Sequence, residues 1–107
     1  CRGMQMINHY FGGTTGRVDG HVAERHAVTF CGDLAGAAPM DVNSYHNYGI
    51  TPEQLGEPLA ALAVADDGTV EALRHQSHKV AAIMWHPERE SSTAAFDIAI
   101  ARRFLGL

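Results

Sequence analysis

Val80-Ala81-Ala82-Ile83-Met84-Trp85-His86-Pro87-Glu88 is an apolar run that stops at a histidine, a proline and a carboxylate. The uncharged stretch from Val80 to Trp85 predicts a strand buried on both faces, as in an α/β sheet. Pro87 offers no N–H and has a restricted φ, which ends the strand. Residues two apart on an extended segment point the same way, so His86 and Glu88 can meet at one strand edge. An imidazole oriented by a carboxylate serves a thiol hydrolase, whose thiolate attacks while the ring holds and passes the proton. The chain opens on such a thiol, in Cys1-Arg2-Gly3-Met4-Gln5.

Residues 2–11 read as a helix, with Met4, Ile7, Tyr10 and Phe11 at helical apolar spacing and Gly12-Gly13 ending it. A cysteine followed at once by a helix, with Gly3 two residues on, suits a strand-to-helix elbow. The helix N-terminus favours a thiolate, and the Arg2 N–H becomes an oxyanion donor. By residue type alone Cys1 reads more readily as an inert buried thiol than as a nucleophile, and His86 with Glu88 is often just a satisfied pair at a strand end.

Between these ends, residues 12–20 read as a loop, 26–31 as a strand, 32–39 as a small-residue loop and 41–43 as a short strand running into a polar turn, 44–49. Thr51-Pro52-Glu53 starts a brief helix. Asp66-Asp67-Gly68 between apolar runs 59–64 and 69–73 predicts a hairpin. A last helix runs from Ser92 to Leu105, with Ala95, Ile98, Ala99, Arg102 and Leu105 on one face and Phe96, Ile100 and Phe104 widening its apolar stripe. The reading is one α/β unit, residues 1–107.

At 107 residues, 46% hydrophobic and 19% charged, the chain has the composition of an ordinary globular domain with one core. Its net charge of −4 gives no reason to propose nucleic acid or an anionic membrane as partner. No apolar run approaches the ~20 residues of a membrane span. Two cysteines, Cys1 and Cys31, make no disulfide framework, so a reducing cytoplasm is expected. Cys31 reads as a buried strand residue.

The two motif blocks resemble those of the class I glutamine amidotransferase superfamily: Cys1-Arg2-Gly3-Met4-Gln5 matches its C-x-G-x-Q motif and Trp85-His86-Pro87-Glu88 its W-H-P-E block. Arginine after the cysteine, Val42-Asn43-Ser44-Tyr45-His46 and Asp67-Gly68-Thr69-Val70-Glu71-Ala72 are similar to the γ-glutamyl hydrolase-like branch, which includes γ-glutamyl-γ-aminobutyrate hydrolases. The branch often continues its turn as H-H-Q, whereas this chain reads His46-Asn47-Tyr48. That departure, the short stretch from Cys1 to His86 and Ile7-Asn8-His9-Tyr10-Phe11-Gly12-Gly13 look closer to the small γ-glutamyl-CDP-amidate hydrolases.

The resemblance implies a flavodoxin-like α/β fold, present as its C-terminal half without the N-terminal strands. It implies that Cys1 forms a γ-glutamyl thioester, that His86 passes protons and that Glu88 orients the ring. Arg2 supplies an oxyanion N–H, while Gln5 and the Ser44, Tyr45, His46 turn hold the glutamyl α-amino and α-carboxylate groups. Without the resemblance, Asn43 and Ser44 read better as loop caps. No metal and no organic cofactor are expected. The partner is a small γ-glutamyl amide or glutamine, with a synthase subunit left open.

Other readings are weaker. His75 with His78, and His21 with His26, lack an accompanying Cys pair or H-E-x-x-H and read as solvated loop histidines. Gly12-Gly13-Thr14-Thr15-Gly16 lacks the following Lys-Ser/Thr of a phosphate loop and comes after a helix. An N-terminal nucleophile using its own α-amine would leave His86 and Glu88 unexplained. A non-catalytic module is the remaining alternative. If the chain begins at Cys1, a parallel sheet loses its central pairing and the site loses an oxyanion donor, so this piece alone is expected to be poorly stable and nearly inactive.

Overall fold

In a computed structural model, residues 2–17, 22–36, 39–45, 48–85 and 102 are described. The first helix, α1, spans Arg2–Tyr10 and turns Met4, Ile7 and Asn8 inward. It ends where Gly12 takes φ +91°, so that the Gly12 N–H reaches His9 O at 3.0 Å and the Gly13 N–H reaches Asn8 O at 2.8 Å. A left-handed residue lets the chain satisfy the last helical carbonyls, and glycine does so without a Cβ penalty.

The strands are β1 (Gly16–Arg17), β2 (Val22–Phe30), β3 (Met40–Tyr45), β4 (Tyr48–Gly49), β5 (Leu59–Ala65), β6 (Val70–His75) and β7 (Ala81–Ile83). Five form one sheet in the order β3-β2-β5-β6-β7, and β1 pairs with β4 apart from it. Every described pairing is antiparallel. The hairpin expected at Asp66-Asp67-Gly68 is among them, and the connections 66–69 and 76–80 are too short for a parallel crossover, which needs about a dozen residues or more.

The Asp66-Asp67-Gly68 signal lies in the β5–β6 turn as expected. Gly68 has φ +87°, and Asp67 Oδ1 accepts the Thr69 N–H at 3.0 Å and its hydroxyl at 2.6 Å. The brief helix at Thr51 is a single 3-10 turn, Pro52–Gln54, closed by the Thr51 N–H donating to Gln54 Oε1 at 3.0 Å. Other edges move. β2 starts at Val22 and β3 runs on through Ser44 and Tyr45, because Val22 pairs with Tyr45 and Glu24 with Ser44. The expected loop 12–20 contains β1. The expected strand 80–85 is shorter, with Ala81, Ala82 and Ile83 half-buried and Met84 and Trp85 buried after it.

The sheet is apolar on both faces. Val28, Phe30, Val42, Leu62, Ala63, Ala72 and Trp85 gather on one, together with Leu34. Met4, Ile50, Leu59, Val70, Leu73 and Met84 gather on the other, where Ile7 and Phe11 of α1 and its end pack. Burying a side chain of this size is worth about 1.5–3 kcal/mol, so these clusters set the seat of α1. Among the described residues no helix is long and apolar enough to cross a membrane. The helix expected over 92–105 lies outside the described residues except Arg102, which is helical and exposed.

Candidate functional site

Asn8 decides how α1 is held. Position 8 lies within the inward face marked by Met4, Ile7 and Phe11, yet its side chain is a polar amide and wholly buried. Its Nδ2 donates to Thr14 O and Gln54 O, both at 3.0 Å, and its Oδ1 accepts the Gly56 N–H at 2.7 Å. Thr14 N–H also donates to Gln54 O at 2.9 Å. One buried amide thus fastens the loop after α1 and the loop before β5 to the helix. An amide fits here because it offers two donors and an acceptor at once. The sequence reading missed Asn8; its signal was a polar residue on an otherwise apolar helix face.

Arg2 is the first residue of α1 and is exposed. The N–H groups of a helix's first turn have no acceptor within the helix, so the Arg2 amide is free of intrahelical bonding by position. Gln5, one turn on, is half-buried and donates from Nε2 to Tyr48 O at 3.0 Å. Tyr48 opens β4 just beyond the 42–46 segment, so Gln5 ties α1 to the chain leaving it. Ser44 and Tyr45 lie on β3 rather than in a polar turn: the ladder with β2 extends that far. An open depression of about 610 Å³ runs along α1, lined by Arg2, Gln5, Met6, His9, Tyr10 and Thr15. Cys1, His46, His86 and Glu88 lie outside the described residues.

The helix that carries most of the first motif block and the strand that leads to the second do meet. Met4 of α1 and Met84, which follows β7, share one apolar cluster with Ile7 and Ala82. The Met84 N–H donates to Glu71 O at 2.7 Å, extending the β6–β7 ladder to the residue before Trp85.

Cys31 sits one residue past β2, half-buried, not within the strand as expected. Its thiol donates weakly to Ala61 O at 3.5 Å, and burial pushes its pKa above the ordinary 9.0. A thiol so disfavoured as thiolate is a poor nucleophile. His75 corrects the reading of solvated loop histidines: it ends β6 and is buried, because a turn folds back onto its ring. Among the described residues no three His, Cys, Asp or Glu side chains group as a metal site.

Comparison with known proteins places this arrangement. The Peptidase C26 family matches residues 1–88. The γ-glutamyl-CDP-amidate hydrolase of Campylobacter jejuni is 41% identical over 91 residues, covering 85% of this chain and 42% of that protein. Anthranilate synthase component 2 of Methanothermobacter marburgensis is 33% identical over 104 residues, covering 92% of this chain and 52% of the relative. A crystal structure assigned to a GMP synthase subunit from Thermoplasma acidophilum superposes with a TM-score of 0.74 at 23% identity, over 95% of this chain and 51% of that one. That likeness shows the fold, and the chain spans about half the length of the curated relatives it matches. With the match running from the cysteine block through the histidine block, the chain belongs to the Peptidase C26 family of class I glutamine amidotransferases.

Proposed function

We propose that the protein is a cysteine-dependent hydrolase that cleaves a γ-glutamyl amide and releases glutamate. The observation that carries this reading is the extent of the family match, which begins at Cys1 and closes at Glu88, taking in all three residues of the proposed triad. The sharing of one apolar cluster by Met4 and Met84 supports it, since Met4 lies within the cysteine block and Met84 directly precedes the histidine block in sequence.

The Cys1 thiolate attacks the γ-carbonyl carbon, and the developing oxyanion takes the Arg2 N–H. The C–N bond breaks as His86, oriented by Glu88, gives its proton to the leaving amine, and a γ-glutamyl thioester remains. Water then attacks the thioester while His86 takes its proton; the C–S bond breaks and glutamate leaves. Gln5, Ser44, Tyr45 and His46 hold the glutamyl α-amino and α-carboxylate groups. The γ-glutamyl-CDP-amidate hydrolase relative and the arginine after Cys1 favour an amide or phosphoramidate substrate.

A second reading, glutaminase action supplying ammonia to a synthase, is favoured by the likeness to an anthranilate synthase component. The encoded protein, assayed with glutamine and with γ-glutamyl amides and phosphoramidates, separates the two. Efficient release of glutamate from the amides without a partner, lost by about 10³-fold or more in Cys1→Ala, is the expected result. Turnover that appears only with glutamine and a synthase establishes the second reading. Turnover indifferent to Cys1→Ala overturns both.

A further inference from the structure

His75 stands at the mouth of an exposed turn, residues 76–79, yet is itself only 5% exposed. Its Nδ1 accepts the Ser77 and His78 N–H groups, each at 3.0 Å, with Ser77 Oγ at 3.4 Å. A ring nitrogen that accepts two amides carries no proton, so the imidazole is neutral with its proton on Nε2. The ring meets Phe11 edge-on, just past α1, with centroids 4.6 Å apart, and His78 at 4.4 Å. The turn is further fixed by His75 N–H donating to Val80 O at 2.8 Å and Gln76 N–H to Pro58 O at 2.9 Å.

The charged and titratable groups around this ring are of mixed sign. His78 and Lys79 come from the turn, and Arg74 donates its guanidinium to His75 O at 3.1 Å. Glu57 lies on the segment before β5 that Gln76 grips through its carbonyl, Glu71 lies further back on β6, and His9 and Tyr10 precede Phe11 on α1. β7 brings only apolar residues.

We infer that His75 is a proton-operated latch that closes the β6–β7 turn onto the end of α1. In the neutral ring the Nδ1 lone pair holds both turn amides. A proton from solvent takes that lone pair, leaves the Ser77 and His78 N–H groups without an acceptor, and sets an imidazolium beside Arg74, His78 and Lys79. The turn then opens and Phe11 loses its ring contact. Burial first, and the neighbouring His78 second, hold the ring's pKa below the ordinary 6.5. The latch works at the end of α1 remote from Cys1 and stands apart from the reaction proposed above.

Amide proton–nitrogen spectra and hydrogen exchange of the encoded protein, followed from neutral to mildly acidic pH, test this. The Ser77 and His78 amides and the His75 ring should titrate with one midpoint below 6.5, and protection of the two amides should fall by up to roughly tenfold per pH unit from 6.5 down to that midpoint and level off below it. His78→Gln should raise that midpoint and keep the coupling. His75→Gln, whose amide oxygen can accept but does not titrate, should remove the pH dependence. Two turn amides indifferent to the His75 ring, or titrating unchanged in His75→Gln, would overturn the latch.

Discussion

Replacing Asn8 is the sharpest test of how α1 is seated. Asn8→Ala removes two donors and one acceptor from a fully buried position. The three partners do not suffer alike. Gln54 O keeps the Thr14 N–H, and Thr14 is exposed, so water can reach its carbonyl. Gly56 is buried, and its N–H loses its acceptor outright, at about 1–3 kcal/mol; the other two bonds add about 0.5–1.5 kcal/mol each before water compensates. The sum is about 3 kcal/mol, which at a urea slope of about 1–3 kcal/mol/M moves the unfolding midpoint down by about 1–3 M. Asn8→Asp separates the causes. A carboxylate still accepts the Gly56 N–H but faces two carbonyls with no donor, so its proton is held above the usual carboxylate range. Its folded state therefore binds more protons than the unfolded chain, and stability rises as pH falls toward the unfolded carboxyl value of about 3.9. Urea melts of both variants across that range decide the matter. An Asn8→Ala loss under about 1 kcal/mol, or Asn8→Asp more stable than Asn8→Ala near neutral pH, would refute the reasoning.

Gly32 and Gly68 both have positive φ, +57° and +87°, but a Cβ on Gly32 would lie 2.7 Å from Ala61 O while one on Gly68 meets open space. Gly68→Ala should cost about 1 kcal/mol from backbone strain alone and Gly32→Ala about 2 kcal/mol or more, read from paired denaturant melts. Gln5→Ala breaks an exposed hydrogen bond and should cost under about 1 kcal/mol of stability, yet on the proposed reading raise KM for a γ-glutamyl amide by about ten- to a hundredfold. Cys31, whose thiol burial holds above 9.0, should react with a thiol reagent far more slowly in the native protein than in urea; equal rates would contradict its placement.

What the sequence reading caught was local chemistry. Asp66-Asp67-Gly68 announces its turn because Asp67 bonds two residues ahead and Gly68 accepts a left-handed backbone. The stop of α1 at Gly12-Gly13 is local in the same sense. What it missed depends on a distant partner. β2 begins early and β3 ends late for one reason, the Val22–Tyr45 and Glu24–Ser44 pairs, each strand lengthening the other. β1 has no strand-like composition at all; Gly16 and Arg17 pair with Gly49 and Tyr48, next to the loops that the Asn8 clamp fastens to α1. Strand direction likewise follows from pairing, which an apolar run such as Val80–Trp85 does not encode.

The candidate site follows the same division. Residue types and spacing mark Cys1, His86 and Glu88 as a set, but nothing in either motif says that the two ends of the chain approach one another. The apolar positions near them carry that information. Met4 comes three residues after Cys1 in the sequence, and Met84 comes two residues before His86. Their shared cluster brings together the helix that follows the cysteine and the strand that precedes the histidine. On the proposed reading a shift of the α1–β7 contact disturbs both blocks, so the methionines belong to the logic of the site although neither has polar chemistry to offer. The residues that make a site reactive are read from their type; the residues that make it assemble are read only from what they touch.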